Sequence, residues 1–336
     1  MTDRLPREDF FRRLAPLDED ALRKALWTLY WRGSAQMRER ILDTLDPVRA
    51  KARRAAANAP ADGALTLERI KTFAGLARAG AYLGHDRRVS PSQRTKWRTE
   101  FKELATDALS ALRGEDTEKA VRAVEILVDL ACEMGSYDYF RSEDSVAAAR
   151  FVVSDAAEAI WTLVRVQHGT TVLAERATPQ LIRWERRYGW TRYGEGWVAE
   201  RERSLTEVLA PMLANTDAWG AFADAEVHAL DALATTTRRH RYDDPAHDRA
   251  ANLAQWHAML LERLVDTEYE PLLDTLVKHP ALVGSERTFL ASRLAHLRGD
   301  DESARRLIAR CLKDVPGHSE YREFALVLGS SPEPPS

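Results

Sequence analysis

Cysteine is nearly absent from this chain. Its two cysteines, Cys132 and Cys311, lie far apart and inside helical apolar patterns. That placement argues against a disulfide framework or a cysteine zinc site, and each reads as a small buried residue. Glycine and proline are sparse, 16 and 14 in 336 residues. No apolar run approaches the ~20 residues of a membrane span. The opening segment, MTDRLPREDFFRRL, has no apolar core of the signal-peptide kind. A reducing cytoplasm is the expected location. Strand-period alternation is missing as well. VEILVDL (124–130) is β-like by composition but sits inside a longer helical pattern. There is no Walker loop, GxGxxG, GxSxG, HExxH or CxxC, so no catalytic motif and no cofactor is implied.

What remains is 45% hydrophobic and 30% charged, and rich in Ala, Leu, Arg and Glu. This is the composition of a helix-rich protein, and its Ala/Arg bias is that of a high-GC bacterial genome. The net charge of −3 is unevenly spread: residues 1–100 hold 21 Lys+Arg against 13 Asp+Glu, and the remainder 28 against 39. A basic first third and an acidic remainder suggest different partners for the two ends.

The expected fold is all-α, an array of antiparallel helix hairpins resembling an α-solenoid, with roughly thirteen to fifteen helices. Residues 1–17 read as irregular, with Pro6 and Pro16 as breakers. Asp18–Asp20 open a helix ending at Gly33. In it Trp27 and Trp31 form an i, i+4 pair of the kind that packs in a core. Ser90-Pro91 starts a long helix and Asp116 another. A helix broken near Ser154-Asp155 ends at His168-Gly169, and Thr178-Pro179 starts the next. A further helix follows Trp197 and runs to about Leu213. Four regions are expected: a basic helical region at 1–115, a central region with aromatic loops at 116–240, C-terminal hairpins at 241–328, and a disordered tail at 329–336.

The segment Leu294–His318 has small Ala291 and Ser292 before it and a Gly299-Asp300 turn within it. Ala304, Ile308, Cys311 and Leu312 follow at packing positions, and Pro316 ends the second helix. This pattern resembles a tetratricopeptide repeat. Leu272, Leu276 and Pro280 anticipate Ile308, Leu312 and Pro316 at a spacing of 36, against the ~34 of the standard repeat. The resemblance covers about residues 250–328. It departs from the family at Thr288, where a large aromatic is usual, and in lacking the mid-helix tyrosine. It implies helix-hairpin packing and a surface that binds peptides or proteins.

The densest chemical feature is Trp184–Trp197, WERRYGWTRYGEGW. Trp184, Arg187, Tyr188, Trp190, Arg192, Tyr193 and Trp197 are the candidate partner-binding residues. Exposed rings beside arginines form a stacking surface, whereas the same rings turned inward plug a gap between helices. Tyr137 and Tyr139, in the loop SYDYFRSEDS (136–145), are candidates for the same surface. Ser142 or Asp144 is expected to cap the helix after that loop. A nucleic-acid alternative places Arg49, Arg53, Arg54, Arg94, Lys96 and Arg98 on phosphates. The remaining alternative is a metal-dependent hydrolase built on His240, Asp243, Asp244, His247 and Asp248. The His247-Asp248 pair resembles the dipeptide of the HD hydrolases, but His228 and Asp266 are poorly spaced to complete that family's set. A turn with helix capping explains Asp244-Pro245 better. The leading expectation is a non-catalytic helical-repeat scaffold that binds a protein or peptide.

Overall fold

A computed structural model describes residues 5–48, 50–51, 59–84, 87–135, 137–188, 196–236, 245–282 and 284–329. Among them are fifteen α-helices, one 3-10 turn and no strand. No helix among these residues is long and apolar enough to cross a membrane. The chain divides into two compact units, Met1–Pro60 and Ala61–Ser336.

The first unit holds α1 (Arg7–Leu14), α2 (Glu19–Arg32) and α3 (Ala35–Leu45). The stretch that reads as irregular contains α1. Pro6 precedes it as its cap, Glu8 and Asp9 lie in its first turn, and Arg12 and Arg13 in its last. Those charges complement the helix dipole, so Pro6 starts a helix rather than breaking one. Asp18 caps α2 by accepting the Ala21 N–H, and Ser34 caps α3 by accepting the Met37 N–H. No residue within α1, α2 or α3 is buried. Trp27 and Trp31 are 60% and 70% exposed. Their rings stack on each other at 5.7 Å, with Tyr30 alongside Trp27. The expectation that this pair packs in a core does not hold, because its ring contacts stay within its own helix.

The second unit begins with α4 (Gly63–Arg78) and α5 (Pro91–Ala111). These run antiparallel. Arg69 in mid-α4 donates to Asp107 near the end of α5 at 2.7 Å, and Tyr82, beyond α4, reaches back to Glu100. Ser90 and Gln93 form a capping box at the start of α5, with Pro91 inside it. Next comes α6 (Thr117–Glu133), which runs parallel to α4, with Gly63 beside Asp116 at one end and Arg78 paired with Glu133 at the other. The β-like run VEILVDL lies inside α6, and five of its seven residues are buried.

A short helix α7 (Ser145–Ala149) is capped by Asp144 and stopped at Arg150, which takes a left-handed φ of 52°. The break before the next helix therefore falls at Arg150, short of Ser154-Asp155. Helix α8 (Val153–Tyr188) is two helices joined at Gly169, whose φ of 83° reverses the chain. Gly169 is suited to this because that backbone region clashes with a Cβ. The first half of α8 runs antiparallel to α6, with Gln167 near Thr117. The second half runs parallel to α6, with Arg176 on Glu118 and Trp184 on Asp129. Pro179 lies within this second half rather than starting it.

After Trp197 the chain forms turns, then the short α9 (Leu205–Leu209) and a 3-10 turn (Ala210–Met212). The single helix expected to run to Leu213 is thus a brief one, closed by Pro211. Helices α10 (Thr216–Thr236), α11 (Pro245–Leu264) and α12 (Glu270–Val277) complete the main core.

Helices α13 (Gly284–Leu297) and α14 (Asp301–Asp314) form a hairpin across Gly299, and α15 (Ser319–Val327) follows. Small Ser292 brings the hairpin helices together by donating to the Ala304 carbonyl at 2.7 Å. Ala304, Ile308 and Cys311 are buried in a second, smaller core with Tyr321 and Ala325. One residue after Thr288, Phe289 packs on Tyr321 at 4.6 Å.

One contact in α10 inverts a usual rule. A Cβ on Gly220 would fall 2.5 Å from the Tyr269 ring. Tyr269 is also fixed by its hydroxyl on Asp217. Gly to Ala within a helix normally stabilises by about 0.5–1 kcal/mol. Gly220→Ala is expected to destabilise instead, by about 1–3 kcal/mol, and to lower the urea midpoint at unchanged slope.

Candidate functional site

Trp184 belongs to the core. It is 0% exposed, lies 6.2 Å from the Trp161 ring, and its indole N–H donates to Asp129 at 2.8 Å. Gln180, one turn earlier, accepts the Trp161 indole N–H at 2.7 Å and donates to Glu125 at 2.6 Å. Residues 180 and 184 on α8 therefore meet 125 and 129 on α6, both pairs at i, i+4 spacing. Arg183 adds an ion pair to Asp129 at 3.0 Å. The reading of Trp184 as an exposed stacking residue is corrected: its ring is consumed by packing and its one donor by Asp129.

Beyond Trp184, the backbone of Arg187 and Tyr188 closes α8, and Trp190, Arg192 and Tyr193 lie outside the described residues. Trp197 is 41% exposed, with the Arg201 guanidinium 4.3 Å from its ring centroid. Carboxylates fix both flanks of the stretch. Glu185, fully buried, accepts the Leu205 N–H at the start of α9. Glu202 accepts the backbone N–H groups of Val153 and Ser154 at 2.7 and 3.0 Å, and the Ser154 hydroxyl at 2.6 Å. Each carboxylate meets a helix N-terminus, where N–H groups lack intrahelical partners and the dipole favours negative charge.

The SYDYFRSEDS loop is a mixture of anchors and exposed groups. Tyr137, 58% exposed, stacks on Tyr139 at 5.9 Å. The Tyr139 hydroxyl donates to Glu133, which also takes two N–H groups of Arg78. Partial burial and that carboxylate push the Tyr139 phenol up to about 12. Phe140 is buried and stacks on Trp97 at 4.1 Å. Its neighbour Arg141 donates from Nε to the Leu83 carbonyl at 2.6 Å. Asp144 takes the capping role expected of this loop's acids, accepting the Ala147 N–H at 2.8 Å.

Arg141 brings this loop to the N-terminal half of α5. A cavity of about 380 Å³ is lined by Arg94, Arg98 and Arg141, with Tyr82, Pro91, Thr95 and Trp97. Arg94 and Arg98 share a face at i, i+4. Lys96 is displaced by roughly 200° around the helix from Arg94 and does not line the cavity. Arg49, Arg53 and Arg54 lie outside the described residues. Sequence spacing shows the Arg94/Arg98 pair but not Arg141, which is 43 positions beyond Arg98. The available signal was the dipeptide Phe140-Arg141, a ring that must be buried beside a charge that must not.

Of the acid–histidine cluster, His240, Asp243 and Asp244 lie outside the described residues, and the backbone of His247 and Asp248 is in the first turn of α11. His228 pairs with Asp224 on its own helix, and its backbone bond there raises its affinity for protons. Asp266 is a turn residue with φ of 59°. Among the described residues, no three His, Cys, Asp or Glu are grouped to hold a metal. Other buried acid–base contacts join helices. Glu226 on α10, fully buried, faces Trp256 Nε1 and His257 Nε2 on α11, both at 3.2 Å. His279 accepts the Ala281 N–H through Nδ1, which leaves Nε2 to donate to Asp231 at 3.1 Å.

The two tryptophans bounding the central stretch are expected to respond differently to removal. Trp184→Ala should cost about 3–5 kcal/mol in chemical denaturation. Trp197→Ala should stay within about 0.5 kcal/mol of the parent. Equal effects would contradict the placement of Trp184 in the core. Compared with family models, with curated proteins and with solved structures, the chain matches none.

Proposed function

We propose that this chain is a non-catalytic helical scaffold whose N-terminal unit docks on the apolar surface of another protein. The observation that supports this most is that α1, α2 and α3 contain no buried residue. Yet they present Phe10, Phe11, Leu26, Trp27, Leu29 and Trp31 to solvent. Apolar patches of this kind mark interaction surfaces, and tryptophan is among the residues most enriched where binding energy concentrates. Three short helices also lack enough burial to be stable unaided.

The charge pattern favours a protein over a nucleic acid or lipid surface. Residues 1–60 carry 13 Lys+Arg and 9 Asp+Glu. The acids include Glu19 and Asp20, both paired with Arg23 on α2 itself. A phosphate-rich partner selects against such interspersed acids, whereas a protein surface with an apolar centre and polar rim tolerates them. The tetratricopeptide-like pattern of the last third is in keeping with a scaffold. Its α13–α14 hairpin is closed by small Ser292 and Ala304, and repeat proteins built from such hairpins present partner-binding surfaces. On this reading the partner surface lies at α1–α3, with Trp197 and Tyr137 as further exposed aromatics.

Affinity isolation of the full chain from its native cell, repeated with the Trp27→Ser/Trp31→Ser double variant, tests the proposal. A defined protein retained by the parent should be lost from the variant. The melting transition of the second unit should stay unchanged, since neither tryptophan is part of its core. An unchanged set of retained proteins would sink the proposal. So would a concentration-dependent dimer that the double variant abolishes, because the surface would then be serving self-association.

A further inference from the structure

A cavity of about 560 Å³ lies in the second unit where the chain passes from the 3-10 turn into α10 and meets the end of α11. Pro211 and Leu213 come from that turn and the connection after it. Asn215 and Trp219 belong to the cap and first turn of α10, and Glu262 and Arg263 to the last turn of α11. Each wall is anchored by the fold. Leu213 is buried, and Arg165 of α8 donates to the neighbouring Met212 carbonyl at 3.2 Å. Trp219 is buried against Trp256 of α11, with ring centroids 5.8 Å apart. Leu261 and Leu264, on either side of Glu262 and Arg263, are fully buried. The two charged side chains therefore project from a fixed turn.

The polar groups of the cavity differ in what they already hold. Glu262 pairs with Arg293 of α13 at 3.5 Å. Asn215 spends its Oδ1 on the Ala218 N–H at 2.9 Å, which leaves its amide NH2 group as a donor. Arg263 lies with its guanidinium 5.7 Å from the Trp219 ring centroid. A cation beside a ring is steadied by the ring's negative face, and its fork of N–H groups stays available to a ligand. Holding a guanidinium in this way reduces what a ligand must order on binding.

We propose that this cavity binds a small organic monocarboxylate. Arg263 donates its fork to the carboxylate oxygens, and the Asn215 amide adds a further N–H. Pro211, Leu213 and Trp219 take the apolar body. The fork of arginine matches the geometry of a carboxylate. A single negative charge fits best, because Glu262 on the same wall repels the second charge of a dianion. A cationic ligand is disfavoured in turn, since Glu262 already has Arg293 beside it and Arg263 stands next to it. The volume lies within the range of small-molecule sites, roughly 300–1,000 Å³.

Titration calorimetry of the full chain at low ionic strength tests this, with phenylacetate, phenylacetamide and phenyl phosphate as probes. Phenylacetate should bind saturably at one site. Phenylacetamide, of the same shape without the charge, and phenyl phosphate, with a second charge, should each bind about tenfold or more weakly. Arg263→Gln should weaken phenylacetate about tenfold or more, the usual loss for a charge-assisted contact. Glu262→Gln should act in the opposite direction and strengthen phenyl phosphate roughly two- to fivefold, a gain that damage to the fold does not produce. Absence of saturable binding would overturn the assignment, as would equal affinity for phenylacetamide or an Arg263→Gln variant that binds like the parent. Tighter binding of phenyl phosphate than of phenylacetate by the parent would overturn it too. If Arg263→Gln lowers the melting temperature, the Glu262→Gln variant decides, and failure to gain affinity for phenyl phosphate would sink the proposal.

Discussion

Helix α6 has to be covered on almost every side. Ten of its seventeen residues are buried. A helix apolar around most of its circumference is stable only when surrounded. Helices α4, α5 and both halves of α8 supply that cover. The acids of α6 fall on one stripe, Glu118, Glu125, Asp129 and Glu133, and each of them has partners. Glu118 takes Arg176, Glu125 takes Gln180, Asp129 takes Trp184 and Arg183, and Glu133 takes Arg78 and Tyr139. Burial drives these helices together. The acidic stripe sets their register, because sliding α8 by one turn would leave Asp129 and the Trp184 indole unpaired in a place water cannot easily reach.

At two helix starts next to the core, a distant carboxylate binds the free N–H groups. Glu202 closes the start of α8 and Glu185 the start of α9. Both come from the neighbourhood of the tryptophan-rich stretch. The flanks of that stretch are thus part of the fold's frame, even though its middle contains the chain's densest set of aromatics. Such a stretch combines the two alternatives that its composition suggests: Trp184 plugs helix layers, and Trp197 remains at the surface with Arg201. The two units also divide the labour between burial and exposure. The second encloses most of its rings, with Tyr137 and Trp197 exposed, while Trp27 and Trp31 of the first stay in water.

Much of the helical architecture was legible from residue spacing. The capping residues Asp18, Ser34, Ser90 and Asp144 each act as their type and position foretell, because a cap is a local interaction between a side chain and the next two or three N–H groups. Gly169 and Gly299 marked reversals for an equally local reason, the cost of a Cβ at positive φ. The errors were tertiary. Pro179 reads as a helix start, but packing of the Gln180–Trp184 face on α6 carries the helix through it. Trp27 and Trp31 read as core, but spacing identifies a shared face and not what covers it. Trp184 shows the same limit: the dense aromatic stretch is plain in the sequence, but its partner Asp129 lies 55 positions upstream.

The sequence by itself determined the helical class, most helix ends and the apolar stripes, since all of these depend on residues within one or two turns of each other. It also determined that the last third has a helix pair closed by small residues, as Ser292 and Ala304 show. Only the tertiary structure decided which aromatics are spent on packing and which acids meet them. Burial and charge pairing depend on neighbours dozens of residues away: Asp129 takes the Trp184 indole N–H from 55 positions upstream, and Phe140 seats its loop on Trp97.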